Sequence, residues 1–105
     1  MEQGVGIENR VIRHVSVFRL RPGVTDPQVE ELIATLRDME ISDAPVPIVR
    51  RDAGLREGNL DVLFMCDFAD VEGYRRWDTD PEHIRIRREV VAPLVEQVDR
   101  IQVRL

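Results

Sequence analysis

The chain has 105 residues, with 15 basic and 20 acidic side chains and a formal net charge of -5 at pH 7. This length predicts one domain that can bury a core of its own. The acidic balance argues against a nucleic acid or an anionic membrane surface as a partner. The single cysteine, Cys66, excludes an internal disulfide and a cysteine-based zinc site and fits a reducing compartment.

The chain begins with a polar, glycine-containing stretch over residues 1–9, which predicts a flexible N-terminal arm ahead of a single domain over residues 10–105. This stretch lacks the basic and apolar regions of a secretory signal. The chain also has no apolar run of the roughly 20 residues that a membrane-spanning helix needs. We therefore expect a cytoplasmic protein without a membrane partner.

The first predicted elements are a strand and a helix. Apolar and polar side chains alternate from Arg10 to Leu20, as in a strand with two different faces. The following helix begins with either a Thr25–Gln28 capping box or an Asp26 cap before proline, and it runs to about Met39. Its apolar stripe, which must face a sheet, consists of Val29, Leu32, Ile33 and Leu36.

The remaining predicted elements are three strands and a second helix that is split in two. Two prolines within residues 42–47 confine the next strand to a sheet edge. An apolar run over residues 60–68 predicts a central strand that is buried on both faces. Pro93 removes one intrahelical hydrogen bond and should bend or shorten the last helix. These elements are strands over about 46–52, 60–68 and 100–105 and helices over 69–78 and 81–95.

With the helices over 69–78 and 81–95 taken as one split helix, the element order is β-α-β-β-α-β. This order predicts an α+β, ferredoxin-like fold with a four-stranded antiparallel sheet and helices on one side. The opposite sheet face would expose an apolar patch larger than soluble monomers usually tolerate. A second copy of the chain, related by a two-fold axis, is the simplest cover. We therefore expect a homodimer through the face that carries Val11, Val15, Val17, Leu63 and Met65.

The two histidines are the first candidates for chemistry. Alternation places His14 on the helix-facing side of the first strand, and His83 lies in the first turn after Asp80, so both imidazoles could share one pocket. Such a pair can divide general-base and carbonyl-polarising roles without a metal or cofactor. The alternative is a hydrogen-bonded core His14 and a solvent-facing His83. A third metal ligand at a recognisable spacing is missing, so we expect no metal site.

Three other side chains have both a packing and a functional interpretation. Cys66 is expected to be a small apolar core residue because nothing local would lower its pKa. Tyr74 and Trp77 are large enough to be packing residues, yet each carries a polar tip that could meet a ligand in a pocket.

Two separated segments carry a resemblance to a known family. Residues 13–24, Arg-His-Val through Phe-Arg-Leu-Arg-Pro-Gly-Val, resemble the opening of the stress-responsive α/β-barrel (Dabb) family. Residues 77–83, with Asp80-Pro81-Glu82-His83, resemble its Pro-x-His helix start. The resemblance extends from Val11 to Val103.

This resemblance implies a dimeric α+β barrel with a cavity between sheet and helices in each subunit. The family includes stress-induced proteins, uncharacterised bacterial proteins and a plant polyketide cyclase. In that cyclase, two histidines matching His14 and His83 support a cofactor-free aldol cyclisation, and a tyrosine stands where this chain has Trp77. The alignment further implies a cavity for a small hydrophobic or aromatic ligand, lined by Ser16, Phe18, Leu32, Ile33, Leu36, Phe64, Cys66, Val71, Tyr74, Trp77, Ile84 and Ile86.

Three functions remain open from the sequence. The first is a cofactor-free polyketide cyclase or lyase, in which His14 and His83 divide proton removal and carbonyl polarisation. The second is a non-catalytic dimer that binds a ligand or is associated with stress. The third is a cofactor-independent monooxygenase similar to the antibiotic-biosynthesis barrels.

Overall fold

The computed structural model describes residues 10–105, so the predicted arm at residues 1–9 lies outside the described residues. Its sheet is fully antiparallel with strand order β2-β3-β1-β4, and the ferredoxin-like α+β prediction is confirmed. None of the helices in the described part of the chain is long and apolar enough to cross a membrane. The elements are β1 Ile12–Leu20, α1 Asp26–Arg37, β2 Ile48–Arg51, β3 Val62–Phe68, α2 Val71–Thr79, α3 Pro81–Ile86, a π-helical segment Arg87–Val91, a helical turn Ala92–Leu94 and β4 Val95–Arg104.

Local chemistry fixes the turn between β1 and α1. Gly23 adopts a φ of 88°, a left-handed conformation that glycine reaches without a steric penalty. The Thr25 side chain then accepts a hydrogen bond from the Gln28 amide at 3.3 Å, and the Gln28 side chain accepts one from the Thr25 amide at 2.8 Å. The helix therefore begins with the Thr25 capping box, and the alternative Asp26 cap does not form.

The sheet face that packs against the helices is the inner face. On β1 its side chains are Ile12, His14, Ser16 and Phe18, and all of them are buried. Phe64 lies directly opposite Ser16 on the central strand β3 and continues the buried face. The hydrophobic core therefore lies between this face and the helices.

The opposite side of the sheet is the outer face. Side chains on β1 and β3, which the sequence predicts to be a dimer contact, are only half-buried there. The strand pairing adds exposed apolar residues from both edge strands. The apolar residues of the outer face are Val15, Val17, Ile48, Leu63, Met65, Ile101 and Val103, and the same face carries the charged residues Arg13, Arg50, Asp67 and Asp99. Because β3 is deeply buried on the inner face alone, the prediction of a strand buried on both faces is wrong for the single chain.

The last helical stretch ends at Leu94, one residue from the predicted end, but β4 begins five residues sooner than the sequence predicts. Pro93 has no amide hydrogen, so the helix cannot continue its regular hydrogen bonding through it. The preceding segment widens to a π-helix, in which the Ala92 amide donates to the Arg87 carbonyl. The strand then begins at Val95, where the sequence predicts the end of the helix, and this shift matters because β4 forms one wall of the candidate site.

Other boundaries differ by one or two residues, as helix and strand ends usually do. Helix α1 ends at Arg37 instead of Met39. Helix α2 begins at Val71, after an Asp70 cap whose side chain accepts a hydrogen bond from the Gly73 amide at 2.8 Å. The edge position predicted for β2 is confirmed by the strand order.

Candidate functional site

A cavity of about 400 Å³ opens between the inner face, α2, α3 and β4. This volume is within the range of small-molecule sites. Both histidines line it, one from the sheet and the other from the start of α3. Alternation along β1 and the Asp80 cap of α3 account for these two positions from the sequence.

His14 is buried and both of its ring nitrogens have partners. The Gln102 side-chain amide donates to Nδ1 at 2.9 Å, and Nε2 lies 2.8 Å from Ser16 Oγ. With Nδ1 as acceptor, the ring proton is on Nε2 and is donated to Ser16 Oγ. The Ser16 hydroxyl therefore keeps its own proton for another acceptor, and His14 can influence a ligand through Ser16.

The His14 imidazole is held in its neutral form. Burial lowers the pKa of His14 to about 4, Asp78 opposes this shift, and Arg100, His83 and Arg87 add to it. Removing a charged imidazolium from water without a directly paired carboxylate is unfavourable, which explains the direction of the shift. A neutral His14 can orient and polarise a neighbouring hydroxyl, but it is a weak base.

His83 has a different environment. Its Nδ1 lies 3.2 Å from the Asp78 carbonyl oxygen and 3.1 Å from Arg87 Nη2. Arg87 also donates to the Asp78 carbonyl and carboxylate, both at 3.1 Å, so its guanidinium already has acceptors. Within residues 10–105, Nε2 of His83 has no hydrogen-bond partner and is the ring nitrogen that remains for a ligand.

Burial also lowers the pKa of His83, and Arg87 contributes in the same direction, whereas the hydrogen bond to the Asp78 backbone opposes the shift. The imidazole is therefore neutral near pH 7, the form that a general base needs. His83 is 9 % exposed, so it is not the solvent-facing residue of the alternative interpretation.

Aromatic rings connect the two histidines. Trp77 stacks on His83 with ring centroids 3.9 Å apart and an interplanar angle of 27°, and its centroid is 5.2 Å from that of His14. Tyr74, one turn earlier on α2, lies 5.5 Å from His14. Burial and Asp78 raise the pKa of the Tyr74 phenol, so it stays protonated near neutral pH and can donate a hydrogen bond.

Most of the residues that the sequence assigns to the site come together at this cavity. In addition to the two histidines, the lining contains Ser16, Phe18, Leu36, Phe64, Tyr74, Trp77 and Ile86.

Five other residues predicted to line the cavity lie outside it. Leu32 is fully buried in the core, and the Cys66 thiol donates to the Pro45 carbonyl at 3.5 Å. Burial raises the pKa of Cys66 to about 11, which agrees with a packing role. Ile84 is 42 % exposed, because it points about 100° around α3 from His83. The remaining two, Ile33 and Val71, are partly buried beside the core.

The sequence did not indicate the polar wall that β4 contributes. Arg100 lines the cavity and pairs with Ser16 across the sheet, and Gln102 pairs with His14. Alternation from Arg100 to Leu105 separates Arg100 and Gln102 from Ile101, but it does not say which of the two faces lies against the helices. The other lining residues that were missed are Met39, Asp78, Arg87, Val91, Ala92, Val95, Glu96, Gln97 and Val98.

The described residues contain no cluster of three or more His, Cys, Asp or Glu side chains that could hold a metal ion. The polar groups that line the cavity include two neutral imidazoles, two hydroxyl groups, the guanidinium groups of Arg87 and Arg100, and the carboxylates of Asp78 and Glu96.

A family model, the Stress responsive A/B Barrel Domain (Dabb), matches residues 12–103. The chain belongs to this family. The match includes all four strands except the last residue of β4, and it confirms the resemblance found in the sequence. No curated protein is significantly similar to the chain.

Several solved structures share the Dabb fold. A dimeric ferredoxin-like protein of unknown function from Thermobifida fusca is 26 % identical, with a TM-score of 0.82 and complete coverage of both chains. A Dabb protein from Mesorhizobium loti is 22 % identical, with a TM-score of 0.76 over 89 % of this chain and 94 % of that one. The hydroxynitrile lyase from Passiflora edulis is 15 % identical, with a TM-score of 0.76 over 92 % and 94 % of the two chains.

Proposed function

We propose that this Dabb protein binds a small hydrophobic or aromatic carbonyl compound in the cavity and catalyses a cofactor-free proton transfer, as a cyclase or lyase would require. The observation that carries the proposal is the placement of both histidines on one cavity of about 400 Å³. Both ring nitrogens of His14 have hydrogen-bond partners, whereas His83 keeps Nε2 for a ligand, so the two rings can have different roles. The hydroxynitrile lyase with the same fold supports a lyase-type reaction.

His83 is the proposed base. With its Nδ1 proton donated to the Asp78 carbonyl, the Nε2 lone pair is available to remove a carbon-bound proton beside the ligand carbonyl. The stacked Trp77 ring restricts the imidazole orientation. Proton removal breaks a C–H bond, forms an N–H bond at His83 and leaves the electron pair as an enolate, which then attacks a second carbonyl or expels a leaving group.

His14 is the proposed polarising residue, and it acts through Ser16. The hydrogen bond from His14 Nε2 to Ser16 Oγ orients the hydroxyl. The hydroxyl then donates a hydrogen bond to the carbonyl oxygen of the ligand and stabilises the negative charge of the enolate. The lowered pKa of His14 keeps this arrangement uncharged. In this scheme His14 is a positioning residue, and Ser16 contacts the ligand.

The test is deuterium exchange of the protons next to the carbonyl of 4-phenyl-2-butanone, followed by NMR in D₂O. We expect the parent protein to accelerate exchange and His83→Gln to lose this acceleration by roughly 100-fold or more. Ser16→Ala should lose less, because it removes one hydrogen bond and leaves the base in place. Equal exchange in the parent and in His83→Gln would contradict the assignment of His83 as the base.

A second candidate, a non-catalytic ligand-binding dimer, is favoured by the hydrogen bonding of His14. Both of its nitrogens are occupied, as they would be in a purely structural histidine. Binding of the same ketone without any acceleration of exchange would select this function.

We also propose that the chain forms a homodimer through the outer face. The apolar residues of that face are half-buried or exposed in the single chain, although they are contiguous on the sheet. The structural neighbours from Thermobifida fusca and Bacteroides fragilis are described as dimeric. Because the cavity opens on the inner face, both subunits of such a dimer keep their own site.

A further inference from the structure

Arg100 is an exposed residue of β4 that lines the cavity and pairs with Ser16 on the neighbouring strand. Within residues 10–105 its guanidinium has no hydrogen bond or ion pair. Arg87, the other arginine of the lining, is different because it is bound to Asp78 at 3.1 Å. The cavity wall therefore holds one cation that is committed to the protein and one that is available to a ligand.

The carboxylates of the lining do not cancel this charge. Asp78 is engaged by Arg87, as described above. Glu96 lies four residues before Arg100 on the same strand, and four residues of extended chain span roughly 13 Å. The wall near Ser16 and Arg100 is therefore the positive end of the cavity.

We propose that Arg100 binds a carboxylate of the ligand, so that the preferred ligands are aromatic or other apolar carboxylic acids. A guanidinium presents parallel N–H donors that match the two oxygens of a carboxylate. Phe18 and Phe64 supply the apolar surface for the remainder of the ligand.

This inference rests on the proposed function because it takes the cavity as the place where the ligand binds. It does not require the proposed proton transfer. If the carboxylate site and the proton transfer are both correct, the substrate is a keto acid. Directly opposed residues on neighbouring antiparallel strands have Cα atoms roughly 5 Å apart, so Arg100 and Ser16 can contact neighbouring groups of one ligand. The carboxylate would bind to Arg100, the carbonyl oxygen to Ser16, and the carbon-bound proton would face His83.

The test uses 4-phenylbutyrate and its neutral amide, 4-phenylbutyramide, as a matched pair of probes. Trp77 is the only tryptophan of the chain and lines the cavity, so its fluorescence reports binding without a label. We expect Arg100→Gln to weaken binding of the acid by roughly 10- to 100-fold, the range for a charge-assisted contact, and to leave the affinity for the amide within about twofold.

Arg104→Gln is the matched control. It removes the same charge from the same strand, four residues further along and outside the lining, and should leave both affinities unchanged. An equal loss for acid and amide in Arg100→Gln, or no saturable binding of the acid by the parent, would overturn the inference. Acid binding that depends on Arg100, in a protein that accelerates exchange neither in the ketone nor in an aromatic keto acid, would support the carboxylate site and reject the proposed proton transfer.

Discussion

Leu63 and Phe64 are neighbours on β3, yet their side chains belong to opposite faces of the sheet. Phe64 is 2 % exposed and lies in the aromatic cluster with Trp77, with ring centroids 5.6 Å apart. Leu63 is half-buried on the outer face beside Val17. The chain itself covers the inner face, whereas the outer face carries apolar residues beside the Arg13–Asp67 ion pair and remains partly exposed. Alternation in sequence identifies two apolar faces, and burial shows that only one of them is covered within the chain.

Truncation of these two neighbours should give the largest difference in stability between the two faces. Phe64→Ala removes a fully packed aromatic side chain and should lower the free energy of unfolding by about 3–5 kcal/mol. Leu63→Ala removes a half-buried side chain and should cost about 1 kcal/mol at dilutions where the protein is monomeric. Chemical denaturation of both variants at several protein concentrations measures the difference.

Protein concentration provides the control for this pair. If the outer face is a subunit contact, the cost of Leu63→Ala should increase with protein concentration, because dimer formation stabilises the parent by mass action. The loss of unfolding free energy in Phe64→Ala should be the same at every protein concentration, because this variant keeps the outer face and dimerises as the parent does. Equal costs for both variants at low concentration would contradict the assignment of the two faces.

Dimer formation itself should respond to a charge on the outer face. Val17→Asp places a carboxylate between Leu63 and Asp99, the residues opposite it on the two neighbouring strands. It should weaken the dimer by roughly 100-fold or more, since an unpaired charge is costly to bury. Sedimentation velocity measures the change in oligomeric state. Leu55→Asp is the control, because Leu55 is 89 % exposed and lies in the loop between β2 and β3. A dimeric Val17→Asp, or a monomeric parent, would refute the proposed interface.

Much of the fold follows from short-range rules in the sequence. Two-residue alternation assigned His14, Ser16 and Phe18 to one side of β1, and the structure has them there. The apolar stripe of α1 and the Thr25 capping box are similarly local signals. Such features are predictable because each depends on the spacing of neighbours and not on distant contacts.

The π-helical segment and the early start of β4 could not be predicted in the same way. Pro93 indicates a disturbance, but its position alone does not say whether the helix bends and continues or ends. The outcome depends on pairing between β4 and β1, including the irregularity at Arg19 and Leu20. Because Arg100 reaches the cavity and Gln102 reaches His14 through that pairing, the sequence alone does not predict the polar wall of the site.

The smallest predicted effect is a pH dependence of stability that originates on the inner face. His14 has a pKa of about 4 in the folded chain, against an ordinary value of 6.5. Between these values the unfolded chain binds a proton that the folded chain does not. His14 therefore does not reduce stability above about pH 6.5 but destabilises the fold progressively as the pH falls towards 4. From pH 7 to pH 5 this loss should be on the order of 1–2 kcal/mol.

His14→Gln removes the titrating group and should therefore show a smaller loss of stability over this interval than the parent, measured by denaturation at each pH. Ser16→Ala is the control, because it removes the hydrogen-bond partner at Nε2 while the buried imidazole remains. It should be less stable than the parent at every pH yet keep most of the pH dependence. An unchanged slope in His14→Gln would mean that the imidazole is not held neutral by its burial on the inner face. The polarising role through Ser16, which needs a neutral His14, would then lose its physical basis.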